Sequence, residues 1–100
     1  MPCHLSISDS STDGRKFMVN VSGDLDLMTV HGLQDSLALA LRDGHSPVVA
    51  DVSGVTFIDS TGVGALITAY RTAMGRLRIV GAKAHVKHVF ETIGMSELLG

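Results

Sequence analysis

The chain has 100 residues, of which 45% are hydrophobic and 18% charged, and its formal net charge is -2. This composition is too apolar for a disordered chain, and the length suits one domain, spanning residues 1–100, with one core. The basic residues are scattered and the longest apolar runs have about five residues, against the ~20 that a membrane span needs, so we expect neither nucleic-acid nor membrane binding. The single cysteine excludes an internal disulfide, and no signal peptide is recognisable, so we expect a cytoplasmic protein.

The first part of the chain predicts a β-hairpin. Phe17, Val19 and Val21 alternate with polar residues, which is typical of a half-buried strand. A weaker alternation over residues 4–8 predicts its antiparallel partner, and the polar segment 9–14 predicts the loop between them.

An amphipathic helix and a buried strand are predicted next. Thr29 is a candidate N-cap and Gly44 a left-handed C-cap. Between them, apolar residues recur at spacings of three and four: Val30, Leu33, Leu37, Ala40 and Leu41. After Pro47, the nearly continuous apolar run 48–52 indicates a strand covered on both faces.

The remainder of the chain predicts two further helices with a strand between them. A largely buried helix starts at residues 59–62 and ends at Gly75, a strand follows at 76–80, and Val86 and Phe90 belong to a last helix ended by Gly94. Residues 96–99 could add one more turn. The predicted order is β-β-α-β-α-β-α, which favours a small α/β domain with a mixed sheet of four or five strands and three or four helices.

The most informative residues for function stand where the second helix begins. Asp59, Ser60 and Thr61 precede an apolar helix whose first N–H groups lack intrahelical partners and carry positive partial charge. Such a place accepts a carboxylate or a phosphate, and Gly62 and Gly64 would let another backbone approach closely. The same residue types also suit a helix cap with no further role, so both interpretations stay open.

Three enzyme classes fail on spacing at this segment. A phosphate-binding P-loop needs a lysine after its last glycine, and none follows Gly62 or Gly64. A nucleophile elbow needs glycine two residues before the serine, where Ile58 stands. The aspartic-protease motif would carry one residue fewer.

His85 and His88 could share a helix face, but no further metal ligand has matching spacing. We therefore predict no catalytic residue, no metal site and no cofactor.

Four segments together carry a family resemblance. Residues 54–66 combine a strand, Asp-Ser-Thr-Gly, an apolar residue, Gly and a buried helix; Gly-Asp-Leu-Asp stands at 23–26, followed by Thr29, and residues 76–81 and 89–95 complete the order. This pattern resembles the anti-anti-sigma factor family, the STAS domain (sulphate transporter and anti-sigma factor antagonist), over about residues 17–99. The chain departs from the family in a shorter connection between Tyr70 and Leu77, and Asp24 replaces the commoner glutamate.

The resemblance implies a role as an anti-sigma factor antagonist. The unphosphorylated form would bind an anti-sigma factor that is a serine kinase and so release a sigma factor. Phosphorylation at Ser60 would end binding, and a phosphatase would reset the protein, which would be a monomer or weak dimer. The implied partner-binding residues are Asp26, Asp59, Ser60, Thr61, Gly62, Val63 and Gly64. Two alternatives stay open: a STAS module of another signalling complex, and a nucleotide- or anion-binding domain that uses the helix start at residues 60–64.

Overall fold

The computed structural model describes the backbone of residues 5–13 and 16–99, with side chains from residue 16 onward. Cys3, Gly14 and Arg15 lie outside the described part. Within these described ranges, four strands and three helices follow the predicted alternation, with a short 3-10 helix at Ser96–Leu98. The strands are β1 (Leu5–Asp13), β2 (Lys16–Leu25), β3 (Val48–Ile58) and β4 (Leu77–Val80), and the helices are α1 (Val30–Arg42), α2 (Ser60–Ala73) and α3 (Ala84–Thr92).

The four strands form one mixed sheet in the order β1-β2-β3-β4, which confirms the predicted fold class. β1 pairs antiparallel with β2, whereas β2, β3 and β4 run parallel. The parallel strands need helical crossovers, and α1 and α2 contact each other, so they cover the same face of the sheet. Leu25 and Ile58 are register partners at the last positions of β2 and β3. The loops after these two strands therefore leave the same edge side by side.

The core lies between the helices and one face of the sheet. Alternate residues of β2 and β3 point into it, and each helix adds the apolar stripe that its three- and four-residue spacing predicted. Its fully buried larger side chains include Val19, Val21, Leu25, Val48, Val52, Val55, Leu33, Leu37, Leu66, Ile79, Val86 and Phe90. Among residues 16–99, no polar or charged residue is buried.

The face of the sheet away from this core is partly open. Val48, Val49 and Ala50 are all buried, as predicted for a strand covered on both faces. Farther along β3, beyond the run 48–52 for which two-sided burial was predicted, Ser53 and Thr56 are exposed. The second helix is less buried than predicted, since α2 exposes its polar residues Thr68, Arg71 and Thr72.

Several element ends also differ from the predictions. β1 continues to Asp13, and segment 9–14, predicted as a loop, mostly pairs with β2. Antiparallel pairing uses backbone groups, so polar side chains do not prevent it. α2 ends at Ala73, and Met74 adopts the left-handed conformation with φ of 52° before Gly75. Gly44 takes a φ of 84° just after α1, as predicted. Within the described residues, no helix combines the length and apolarity required to cross a bilayer.

Candidate functional site

The Asp59 carboxylate connects the two loops that follow the carboxyl ends of β2 and β3. Asp59 is the N-cap of α2, with extended backbone, and its Oδ1 accepts a hydrogen bond from the Gly62 N–H at 3.0 Å. Its Oδ2 accepts the N–H of Leu27 at 3.3 Å, and its own N–H donates to the Leu25 carbonyl at 3.2 Å. One carboxylate therefore caps the helix and fixes the neighbouring loop.

The loop between β2 and α1, residues 26–29, is held by its own polar side chains. The Thr29 hydroxyl donates to the carbonyl of Asp24 at 2.7 Å and accepts the N–H of Asp26 at 3.0 Å. The Asp26 Oδ1 accepts the N–H of Met28 at 2.9 Å. Thr29 stands at the N-cap position of α1, but its side chain makes no capping bond there. The predicted cap thus stabilises the loop, because its oxygen is used by β2 and Asp26.

Ser60 is the first residue of α2 and is exposed. Among the described residues, no hydrogen bond engages its hydroxyl, and the capping bond to α2 comes from Asp59. Thr61 beside it is half-buried. The Ser60 Oγ is therefore accessible from solvent.

The next three residues, all predicted to contact a partner, differ in exposure. Gly62 is buried, and a Cβ there would lie 2.6 Å from the Leu25 carbonyl oxygen. Val63 is 5% exposed and belongs to the core. Gly64 is half-buried, and a Cβ there would meet nothing within 4 Å. The absence of a side chain at Gly62 thus lets β2 pack closely against α2, whereas the open space beside Gly64 leaves room for another molecule.

Two apolar side chains beside the site did not enter the predicted partner-binding set. Leu27 is 64% exposed and Met28 is 76% exposed. The Leu27 N–H donates to the Asp59 carboxylate, so the backbone that carries this apolar pair lies next to the start of α2. The available sequence signal was two large apolar residues within a turn bounded by Asp26 and Thr29. Exposed apolar groups beside a polar site are typical of a protein-binding surface.

The two segments that form the site carry acidic side chains. Residues 23–29 and 58–64 contain Asp24, Asp26 and Asp59 and no basic residue. Asp24 also accepts a hydrogen bond from the Thr56 hydroxyl at 3.1 Å. No group of three or more potential metal ligands occurs among the residues that the structure describes, and His85 and His88 are both exposed there.

Comparison with known proteins gives consistent matches. A family model described as "Mlab, STAS domain" matches residues 8–100. The anti-sigma-B factor antagonist of Staphylococcus aureus (strain NCTC 8325 / PS 47) is 27% identical over 94 residues, which are 91% of this chain and 87% of the relative.

Solved structures show the same fold. An anti-sigma factor antagonist from Mycobacterium paratuberculosis superposes with a TM-score of 0.87 at 21% identity, covering 99% of this chain and 86% of that one. The anti-sigma factor antagonist SpoIIAA in its unphosphorylated form gives a TM-score of 0.79 at 19% sequence identity, and the match covers 95% of this chain and 86% of that one. The Bacillus cell fate determinant SpoIIAA in its phosphorylated form gives a TM-score of 0.72 at 18% sequence identity, and the match covers 95% of this chain and 89% of that one. Because the family model spans nearly the whole sequence and the four-stranded fold agrees with these structures, the chain belongs to the STAS domain family.

Proposed function

We propose that this protein is an anti-sigma factor antagonist whose binding is ended by phosphorylation at Ser60. The observation that carries the proposal is the exposed Ser60 hydroxyl, which has no hydrogen-bond partner among the described residues, at the first position of α2. The helix is capped by Asp59 instead, so a kinase could modify Ser60 without removing a structural bond. The names of the Staphylococcus aureus relative and of the anti-sigma factor antagonist SpoIIAA support the general role.

The docking surface that we propose consists of Leu27, Met28, Ser60, Thr61 and Gly64. Its apolar part is the exposed Leu27 and Met28 pair. Full burial of a leucine or methionine side chain contributes about 1.5–3 kcal/mol, so this pair alone could supply a useful share of the binding free energy. Asp26 shapes the surface by accepting a hydrogen bond from the Met28 N–H. Gly62 and Val63 are buried, so they support the surface from inside the domain and do not contact the partner directly. The occupant is an anti-sigma factor with serine kinase activity, and a phosphatase restores the free hydroxyl.

Phosphorylation would act on the partner and leave the fold in place. A phosphoserine carries a charge of about -1.5 to -2 at pH 7. The N-terminus of α2 tolerates this charge, because the helix dipole is positive there. A partner docked on Leu27 and Met28 would have to bury the phosphate next to the Asp59 and Asp26 carboxylates. A penalty of about 3 kcal/mol would weaken binding somewhat more than 100-fold.

The test uses the purified serine-kinase partner with wild-type chain, Ser60→Ala, Ser60→Asp and Thr61→Ala. With ATP, we expect one phosphoryl group on the wild type and dissociation of its complex, whereas Ser60→Ala stays unmodified and bound. Ser60→Asp should bind about 100-fold more weakly than the wild type. Thr61→Ala is the matched control and should still accept the phosphoryl group. Modification of Thr61 in place of Ser60, or wild-type affinity of Ser60→Asp, would contradict the proposal.

The geometry favours this role over the nucleotide-binding alternative. The Asp59 carboxylate already occupies the Gly62 N–H, and it places negative charge where a nucleotide phosphate would bind. Titration of the isolated chain with ATP distinguishes the two, since tight binding would favour the nucleotide site. A STAS module of another signalling complex would bind its partner equally well before and after treatment with kinase and ATP.

A further inference from the structure

We propose that oxidation of Met28 to methionine sulfoxide is a second way to turn the docking surface off, independent of phosphate. The inference rests on the proposed function, because Met28 belongs to the surface beside Ser60. Its side chain is 76% exposed, so an oxidant reaches the sulfur from solvent. Its backbone N–H is held by the Asp26 carboxylate at 2.9 Å, and the preceding N–H, of Leu27, by Asp59 at 3.3 Å. The backbone that carries this thioether is therefore held in place beside the Asp26 and Asp59 carboxylates.

The other methionines of the described part differ from Met28 in exposure or in position. Met18 and Met95 are half-buried, which slows access to their sulfur atoms. Met74 is 88% exposed, but it follows the last residue of α2, whereas Ser60 is the first. The 14 residues of α2, at about 1.5 Å rise each, separate the two ends by roughly 20 Å. Met74 is thus an equally accessible thioether outside the docking surface.

The oxidant required is a hydroperoxide. The methionine sulfur attacks one peroxide oxygen and the O–O bond breaks, so the sulfur is oxidised by two electrons as the S–O bond forms. The proton of the attacked oxygen passes to the other oxygen, which leaves as water or an alcohol. The sulfoxide is polar, and a methionine sulfoxide reductase restores the thioether at the expense of thiols. Burying this new acceptor against an apolar partner surface without a donor is unfavourable, so docking should weaken.

The test compares wild-type chain, Met28→Leu and Met74→Leu, each before and after treatment with hydrogen peroxide. Leucine has a similar volume and apolarity but cannot be oxidised. Peptide mass spectrometry measures the extent of oxidation at each methionine, and calorimetry measures affinity for the purified serine-kinase partner. Each protein is compared with its own untreated form. We expect Met28 and Met74 to oxidise faster than Met18 and Met95.

The affinity of the wild type and of Met74→Leu should fall about tenfold or more on oxidation, because a contact worth at least 1.4 kcal/mol is lost. The affinity of Met28→Leu should stay at its untreated value, and sulfoxide reductase should restore the wild type. Unchanged affinity of a wild type shown to carry Met28 sulfoxide would overturn the inference while leaving the phosphorylation proposal intact. No binding by the untreated wild type would instead overturn the proposed function, and this inference with it.

Discussion

Two glycines two positions apart in α2 offer a matched test of how the site is built. A Cβ on Gly62 would lie 2.6 Å from the Leu25 carbonyl oxygen and 2.9 Å from the Leu25 Cγ. A Cβ on Gly64 would meet nothing within 4 Å. The Leu25 carbonyl also accepts the Asp59 N–H, so it cannot move without disturbing the helix cap. Gly62→Ala and Gly64→Ala should therefore change stability in opposite directions.

Two competing effects set the expected difference in the free energy of unfolding between the two variants. Alanine is favoured over glycine inside a helix by about 0.5–1 kcal/mol, and Gly64→Ala should gain this amount in full. Gly62→Ala gains it too, but overpacking against β2 costs about 1–3 kcal/mol, and a backbone neighbour favours the upper end. We expect the two variants to differ by about 2–3 kcal/mol in the free energy of unfolding, with Gly64→Ala the more stable.

Urea and thermal unfolding of both variants measure this difference. In a domain of this size, about 1 kcal/mol shifts the melting temperature by 4–8 °C, so the two variants should melt about 10–20 °C apart. The wild type should lie between them. Equal stability of the two variants, or a Gly62→Ala protein more stable than the wild type, would refute the close approach of β2 to α2. It would also remove the structural reason for glycine at this position of the motif.

Substitutions at two further positions, Asp59 and Arg76, test the bonds that fix the loops and helices. Asp59→Ala should lose about 1 kcal/mol of stability because it loses the N-cap, and amide exchange at Leu27 and Gly62 should become faster. Asp59→Asn keeps a hydrogen-bond acceptor and should lose less stability. Unchanged amide exchange in Asp59→Ala would contradict the bridging role of the carboxylate. Arg76 donates from Nη1 to the Leu41 carbonyl at 3.1 Å, near the C-terminus of α1. Arg76→Met should therefore cost about 1 kcal/mol in urea unfolding, and no loss would show that this bond contributes nothing.

Much of the fold was predictable because burial follows periodicity. The alternation at Val19 and Val21 and the spacing of Leu33 and Leu37 place the same atoms in the core that the sequence pattern selected. The length of β1 was not predictable in this way. Its second half is polar, and it is strand because the backbone of β2 pairs with it as far as Asp13. Pairing between backbones leaves no mark on the side-chain pattern.

In the candidate site, too, contacts between residues close in sequence were predictable, and contacts between residues far apart in sequence were not. The Asp59 cap was predictable, since it depends on a residue three positions away in the chain, Gly62. The contact between Leu27 and Asp59 spans 32 positions and depends on β2 and β3 ending at the same edge. For that reason the sequence did not indicate that Leu27 and Met28 lie beside the serine. Nor did it show that Thr29 would bond β2 and the loop in place of capping α1.

In the proposed function, helix capping and modification fall on neighbouring residues of one motif, Asp59 and Ser60, which would give the two residues different roles. A serine that capped α2 with its own oxygen would lose that bond on esterification, and the fold would respond to the phosphate. Here Asp59 makes the capping bond and also holds Leu27, while Ser60 stands one residue later with its hydroxyl exposed. A charge added at Ser60 therefore meets the positive end of a helix that stays capped. In the proposed function, such a charge changes the surface beside Leu27 and Met28, so a response to a kinase would need no second conformation of the protein.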